Sequence, residues 1–163
     1  MEKLGFGVIG CGFIGMLHAG VIAALDGAYL AAVADSDAEK TEEAVRKWGC
    51  RSYKDYHEML RDPDVAVVSV CLPSGMHSSV TIEAARAGKH VICEKPVCMT
   101  YADICEVYET ARQCGRLFIP CHNNRFGQRE TIRDLVKEGL LGDVYFGELE
   151  CVRRRGIPDW GAP

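Results

Sequence analysis

The sequence predicts an α/β fold in which helices cover both faces of a doubly wound parallel β-sheet. Short apolar runs alternate with segments of helical periodicity along most of the 163 residues, the order of elements typical of such folds. The first run, Leu4–Ile9, is continuously apolar, as expected for a strand that is buried on both faces. It leads directly into a glycine-rich turn at the start of a helix, where ligands bind in this class of sheet.

The boundaries of the elements follow from capping and turn residues. Asp37, Asp55 and Thr100 are predicted to cap three helices, and a glycine follows four of the helices. Asp26-Gly27 and Asp62-Pro63 mark turns. The predicted strands are Leu4–Ile9, Ala28–Ala34, Arg51–Tyr53, Val65–Cys71, His90–Cys93 and Leu117–Cys121. The predicted helices are Ile14–Leu25, 38–48, 56–61, Ser78–Ala87, 101–113 and Gln128–Glu138, and the alternating segment Val144–Arg153 is predicted to be a long strand of a different kind.

Composition excludes several classes of protein. A hydrophobic share of 48% and a charged share of 26% are ordinary for a soluble globular protein. The formal net charge of −4 gives no indication of a nucleic-acid or anionic-membrane partner. No apolar run approaches the length needed to span a membrane, and the N-terminus lacks the cleavage pattern of a signal peptide. We therefore expect a cytoplasmic protein without a nucleic-acid or membrane partner.

The nine cysteines are interpreted as free thiols in a reducing compartment. Their number is odd, they include no C-x-x-C pair, and most lie inside apolar runs, where cysteine behaves as a small hydrophobic residue. Cys121 and His122 are adjacent, but no other residue stands at the spacing of zinc ligands. No metal site is expected.

The first strand is followed by the pattern G-x-G-x-x-G. In a dinucleotide-binding Rossmann sheet, Gly10 would make the tight turn, Gly12 would let a pyrophosphate approach the backbone, and Gly15 would let the helix pack closely. Phe13 and Ile14 lie between these glycines, at a helix N-terminus whose N–H groups bind phosphates. Because the chain has 17 glycines, a chance match is the alternative interpretation.

An acidic residue supports the dinucleotide interpretation. Asp35 ends the second strand, and a carboxylate about 20 residues beyond the glycines typically binds the adenosine ribose hydroxyls. The alternative is a helix-entry role shared with Ser36 and Asp37. Because a carboxylate here would repel a 2′-phosphate, NAD is favoured over NADP as the cofactor.

A loop leaves the fourth strand at the edge where ligands bind in parallel sheets. Leu72 and Pro73 begin this loop, and Pro73 prevents a simple continuation of the strand. His77 follows, and it could contact the cofactor or cap the next helix. This segment alone favours a structural histidine.

The fifth strand ends in Glu94-Lys95-Pro96. A Glu-Lys pair is usually a solvated ion pair, but an X–Pro bond can be cis at modest cost and would then turn the lysine towards the cleft. A lysine beside a nicotinamide could hold the substrate hydroxyl and take part in proton transfer as hydride leaves carbon.

Together these residues resemble the Gfo/Idh/MocA family of oxidoreductases, whose members act mostly on sugars, inositols and related polyols with NAD or NADP. Glu94-Lys95-Pro96 is the most specific element, and the resemblance covers essentially the whole chain. It implies that Lys95 is catalytic with a cis bond to Pro96, that His77 and Glu94 line the nicotinamide side, and that Arg125 lies near the cofactor or an interdomain cleft. The cofactor-binding residues that it implies are Gly10, Gly12, Phe13, Ile14, Gly15, Asp35, Leu72, Pro73, His77, Glu94, Lys95 and Arg125.

The same resemblance predicts two domains. Residues 1–122 would form the NAD(P)-binding Rossmann domain, and residues 123–163 the start of an incomplete α+β domain for substrate binding and homo-oligomerisation. Family members carry an Asp-x-x-x-His motif in that second domain, and none of the five histidines here stands in such a context. We therefore expect a truncated or incomplete chain with little turnover alone, and we do not predict the family's homo-oligomer for it.

The predicted function is hydride transfer between a nicotinamide cofactor and a sugar, inositol or related polyol. One alternative is a dinucleotide-binding module without catalysis. Another is an NAD-dependent glycosidase, since some relatives of the family oxidise a sugar transiently, eliminate the glycosidic group and reduce the sugar again.

Overall fold

The computed structural model describes residues 3–122, 129–148, 150 and 152. The strands are β1 (Leu4–Ile9), β2 (Ala28–Ala34), β3 (Arg51–Tyr53), β4 (Val67–Val70), β5 (His90–Cys93) and β6 (Phe118–Pro120). The helices are α1 (Phe13–Ala24), α2 (Ala38–Trp48), α3 (Tyr56–Leu60), α4 (His77–Arg86), α5 (Tyr101–Gln113) and α6 (Arg129–Lys137).

The six strands form one parallel sheet in the order β3-β2-β1-β4-β5-β6. The chain moves outward in one direction from β1 to β3 and then crosses back to place β4 on the other side of β1. The crevice outside the carboxyl ends of β1 and β4 is therefore the topological switch point, where such sheets bind ligands. The predicted doubly wound Rossmann sheet is confirmed.

Successive residues of the central strands supply two separate cores, because side chains alternate between the faces of a strand. Val8 and Val33 pack with Ala19 and Ile22 of α1 on one face. Ile9 and Ala34 belong to the core on the other face, with residues of α3 and α4. The buried strands therefore need apolar residues at consecutive positions, which explains their continuously apolar sequences.

Helix α1 packs differently from what its largest apolar residues suggest. Its buried residues are Gly15, Ala19 and Ile22, whereas Leu17 and Val21 are about half exposed, at 55% and 54%. The small side chains of Gly15 and Ala19 allow the helix axis to approach the sheet closely. The predicted helix Ile14–Leu25 is confirmed with each end shifted by one residue, and its buried side combines two small residues with Ile22.

The sequence-based boundaries agree with the structure apart from small shifts at the ends. Four strands have the predicted bounds, while β4 and β6 are shorter than predicted. Asp37, Asp55 and Thr100 cap α2, α3 and α5 with side-chain hydrogen bonds, as predicted. None of the described helices is long and apolar enough to cross a membrane.

The chain divides into two compact units, residues 1–121 and 122–163. Within the second unit, α6 is followed by Gly139, whose φ of 72° is favourable for glycine. The prediction of a strand over Val144–Arg153 is wrong for the residues described, because residues 144–148, 150 and 152 form no strand. A single strand is stabilised only by pairing with a neighbour, and the described part of the chain offers this segment none.

Candidate functional site

The glycine turn after β1 lies at the switch point of the sheet. Gly10 has a φ of 91°, and a Cβ on it would come within 2.5 Å of the Cys71 carbonyl oxygen after β4. The Gly10 N–H donates to the Ala34 carbonyl of β2 at 2.8 Å. Gly10 therefore turns the chain where three central strands end, and a side chain would not fit.

The other two glycines of the motif have contrasting surroundings. A Cβ on Gly15 would lie 1.8 Å from the Gly10 carbonyl oxygen, so only glycine allows α1 to start this close to the turn. A Cβ on Gly12 would meet nothing within 4 Å. Gly12 also caps α1 without a side-chain hydrogen bond, and the first turn of α1 contains no acidic residue. Open space at a helix N-terminus of this kind fits a phosphate group.

Two further residues of the motif are more exposed. Phe13 is 73% exposed at the start of α1, and Ile14 is half-buried. Both lie on the first turn of the helix, next to the open space at Gly12.

The Asp35 side chain is hydrogen-bonded to the glycine turn. Its Oδ2 accepts a hydrogen bond from the Cys11 N–H at 2.8 Å, and its Oδ1 accepts one from the Asp37 N–H at 2.9 Å. The structure therefore brings the predicted acid and the predicted glycines together. Asp35 also has the helix-entry role, because its hydrogen bond with the Asp37 N–H holds the backbone that leads into α2.

His77 lies in the interior rather than in an open cleft. It is 1% exposed, and its Nδ1 lies 2.7 Å from the Pro96 carbonyl oxygen while its Nε2 lies 2.6 Å from the Leu72 carbonyl oxygen. Both ring nitrogens thus contact backbone acceptors, one in the loop after β4 and one in the loop after β5. This geometry supports the structural interpretation of His77, since a cofactor could reach the ring only after a rearrangement.

The Glu94-Lys95-Pro96 segment leaves β5 at the same edge of the sheet. The Lys95–Pro96 bond is cis. The Lys95 N–H donates to Glu94 Oε2 at 3.0 Å. Lys95 itself is exposed, and its ammonium forms no ion pair with the described residues. Pro73 begins the neighbouring loop, and Arg125 lies outside the described residues.

The structure reveals a polar network that sequence reasoning missed. His18 of α1 places Nδ1 2.7 Å from Ser69 Oγ of β4 and Nε2 3.2 Å from Glu94 Oε1. Cys121, just after β6, completes the group, and its ligand atom lies within 4.8 Å of those of His18 and Glu94. These residues come from elements far apart in the chain, so no local spacing could have indicated the group.

Thiols near this edge are in their neutral form. Burial, with a smaller contribution from the Asp35 charge, raises the pKa of Cys11 to about 12. Burial also raises the pKa of Cys71 to about 12. Burial is the larger cause, and a hydrogen bond with Glu94 the smaller one, of the rise in the pKa of Cys121 to about 11. A raised thiol pKa lowers the fraction of nucleophilic thiolate. This edge of the sheet therefore offers no activated cysteine among these three.

Comparisons with known proteins agree with the fold and the motifs. A model of an oxidoreductase family with an NAD-binding Rossmann fold matches residues 4–122. Myo-inositol 2-dehydrogenase of Thermotoga maritima is 36% identical over 138 residues, which are 83% of this chain and 41% of that protein. D-glucoside 3-dehydrogenase of Escherichia coli is 34% identical over 157 residues, which are 94% of this chain and 45% of that protein.

A solved structure shows the same architecture. The WlbA dehydrogenase from Bordetella pertussis, in complex with NADH and UDP-GlcNAcA, superposes with a TM-score of 0.82 at 29% identity. The match covers 88% of this chain and 42% of that one, so the chain spans less than half the length of these relatives. Because the family model matches most of the chain, this protein belongs to the Gfo/Idh/MocA family of oxidoreductases.

Proposed function

We propose that this chain binds NAD and supplies the cofactor-binding part and the catalytic lysine of a dehydrogenase for sugars, inositols or related polyols. The observation that carries the proposal is the hydrogen bond from the Cys11 N–H to Asp35, which places a carboxylate beside the glycine turn. The relatives named for myo-inositol and D-glucoside oxidation support the substrate class.

The residues present fit the cofactor. The space where a Cβ of Gly12 would stand is open, and the N-terminus of α1 faces the same turn, so the pyrophosphate would bind there. Asp35 would accept hydrogen bonds from the adenosine ribose hydroxyls, and its charge would disfavour the 2′-phosphate of NADP. Bound at this edge, the nicotinamide would accept or donate the hydride.

Lys95 is the residue proposed to act on the substrate. Its exposed side chain follows β5, at the carboxyl edge shared with the glycine turn. It would hold the substrate hydroxyl and take part in moving its proton. His77 would position Lys95 indirectly, since its ring contacts the Pro96 carbonyl oxygen, one residue beyond Lys95. Arg125 remains a predicted cofactor contact.

The proposal is tested by measuring the NAD affinity and the unfolding midpoint of two matched glycine variants. A methyl group at Gly12 meets no protein atom, so Gly12→Ala should leave the unfolding midpoint unchanged while it weakens NAD binding by about tenfold or more. Gly27, in the turn before β2, also has open space at its Cβ position. Gly27→Ala should change neither quantity. Unaltered NAD affinity in Gly12→Ala, or no NAD binding by the original chain, would contradict the proposal.

Turnover is tested with the same protein and a panel of polyols and sugars. We expect little NAD reduction from these 163 residues alone, because the chain covers less than half of the dehydrogenases that it matches. Robust turnover that disappears in Lys95→Ala would show that the chain suffices for catalysis. Robust turnover that persists in Lys95→Ala would contradict the role of the lysine.

A further inference from the structure

The network at the ends of β5 and β6 contains three side chains of the kinds that bind zinc. His18 Nε2 and Glu94 Oε1 are 3.2 Å apart. One ligand atom from each of His18, Glu94 and Cys121 lies within 4.8 Å of the other two. Bonds of about 2.0–2.3 Å from zinc to nitrogen, oxygen and sulfur place the ligand atoms of a tetrahedral site about 3.3–3.8 Å apart. A small inward movement of Cys121 would therefore complete such a set.

We propose that His18, Glu94 and Cys121 form a binding site for a zinc-like divalent transition metal. The inference does not rest on the proposed function. An imidazole, a carboxylate and a thiol favour zinc or cobalt over magnesium or calcium, which prefer oxygen ligands. Three protein ligands leave one tetrahedral position for water or for another molecule.

Ser69 holds the histidine in the orientation that such a site needs. Its hydroxyl lies 2.7 Å from His18 Nδ1, on the side of the ring away from Glu94, and Ser69 is completely buried. Metal-binding histidines commonly have their second nitrogen fixed in this way. The arrangement leaves His18 Nε2 directed towards the group.

Glu94 can bind a metal without releasing the loop that follows β5. Its Oε2 accepts the Lys95 N–H, and its Oε1 lies on the side of His18. One oxygen therefore keeps the loop in place while the other is available to the ion. The side chains of His18 and Glu94 are 18% and 12% exposed, so the group is shielded but has access to solvent.

Charge balance also favours a divalent ion. Cys121 would bind as the thiolate, and its proton would pass to the buffer. The thiolate and the Glu94 carboxylate together carry two negative charges, which a divalent cation neutralises, while His18 binds as the neutral imidazole. Without the ion, the thiol keeps its proton.

Cobalt titration tests the site directly, because thiolate coordination produces a sulfur-to-cobalt charge-transfer band. The full chain, kept reduced with a reductant that contains no thiol, should bind one equivalent of Co²⁺ with this band, and Zn²⁺ should displace it. Cys121→Ser should abolish the band. Cys105→Ser removes an exposed cysteine of α5 and should retain it, and His57→Asn removes an exposed histidine and should also retain it.

Two results would overturn the proposal. One is a charge-transfer band that persists in Cys121→Ser or disappears in Cys105→Ser. The other is the lack of stoichiometric Co²⁺ binding by the folded chain. Circular dichroism checks the fold of each variant. If Cys121→Ser does not fold, Glu94→Gln decides, because it keeps an acceptor for the Lys95 N–H: a tenfold or greater loss of Co²⁺ affinity supports the site, and unchanged affinity refutes it.

Discussion

Asp35 combines two tasks at the level of a single side chain. One carboxylate oxygen accepts the Cys11 N–H of the glycine turn and the other accepts the Asp37 N–H at the start of α2. An asparagine could keep an acceptor for one of these N–H groups, but it would lose the negative charge. Asparagine would therefore remove the charge that is proposed to select the cofactor and would also cost one of the two hydrogen bonds that hold the turn.

We predict that Asp35→Asn reduces the preference for NAD over NADP. The loss of the carboxylate weakens binding of the ribose hydroxyls of NAD and removes the repulsion of the NADP 2′-phosphate. Dissociation constants for both cofactors measure the ratio. Asp37→Asn is the matched control, because asparagine still caps α2 at this exposed position, and it should leave the ratio unchanged. An unchanged ratio in Asp35→Asn would refute the assignment.

We predict that replacing the buried His77 lowers the stability of the fold. In His77→Leu the Leu72 and Pro96 carbonyl oxygens lose their ring partner, so the free energy of unfolding should fall by about 1–3 kcal/mol. Urea denaturation measures the change. His57→Leu, at an exposed position on α3, should have a smaller effect. Equal stabilities of His77→Leu and the original chain would mean that these contacts contribute nothing.

The sequence predicted the positions of individual residues well where the signal is a motif at the end of a strand. The three glycines, Asp35 and Glu94-Lys95-Pro96 each follow the carboxyl end of a strand. Because the strands are parallel, these residues lie at the same edge of the sheet. The role of His77 remained open because its two partners, Leu72 and Pro96, belong to different loops. The grouping of His18 with Glu94 and Cys121 depends on three elements and could not be read from spacing.

At the level of elements, Asp62 joins β3 to the turn that precedes β4. It is 6% exposed and accepts hydrogen bonds from the Tyr53 hydroxyl, the Arg51 guanidinium and the Asp64 N–H. Burial alone would raise the pKa of Asp62, but these hydrogen bonds and the Arg51 charge hold it below its usual value of 3.8. The ionised carboxylate therefore stabilises the folded chain.

We predict that Asp62→Asn destabilises the protein at neutral pH by about 1–3 kcal/mol, because asparagine cannot accept all these hydrogen bonds. The stabilisation by the carboxylate is present above the unfolded-state pKa of 3.8 and is lost as pH falls through the lower folded-state value. The difference between the two proteins should therefore shrink below about pH 4.

Urea unfolding midpoints between pH 3 and pH 7 measure this dependence. Asp64→Asn is the control, since Asp64 also pairs with Arg51 but its side chain is 54% exposed. Its effect should stay below about 1 kcal/mol. A difference for Asp62→Asn that is independent of pH would show that the carboxylate charge is unimportant.

Elements were predictable where burial on both faces gives a continuous apolar run. β1, β2, β3 and β5 have the predicted bounds, and the glycines that follow α2 and α6 have positive φ. The buried side of α1 was not evident from its large apolar residues, because close packing selects Gly15 and Ala19. The segment Val144–Arg153 was interpreted as an alternating strand, but alternation does not supply a pairing partner.

At the scale of the whole molecule, both cores lie within residues 1–121. Every described residue of the two hydrophobic clusters belongs to this first unit. These clusters therefore lie before the boundary predicted between residues 122 and 123, which stays a prediction. The sheet order, the glycine turn and Lys95 all belong to the first part.

We predict that a chain ending at His122 folds cooperatively and binds NAD within tenfold of the affinity of the full 163 residues, the difference being the contribution of the predicted cofactor contact Arg125. The physical reason is that every described residue of the two hydrophobic clusters lies within it. Thermal unfolding followed by circular dichroism and a titration with NAD provide the two measurements. A shortened chain that is unfolded, or that binds NAD at least tenfold more weakly, would place essential contacts beyond residue 122.

The hydrogen bonds that Asp35 makes to the Cys11 and Asp37 N–H groups have a thermodynamic consequence. They order the glycine turn as part of folding, so the conformational entropy of that turn is lost before any ligand arrives. A ligand that binds the turn therefore keeps more of its contact energy as affinity. Folding stability and ligand affinity are therefore coupled through the Asp35 carboxylate. A variant that weakens its two hydrogen bonds should raise the entropic cost of ligand binding.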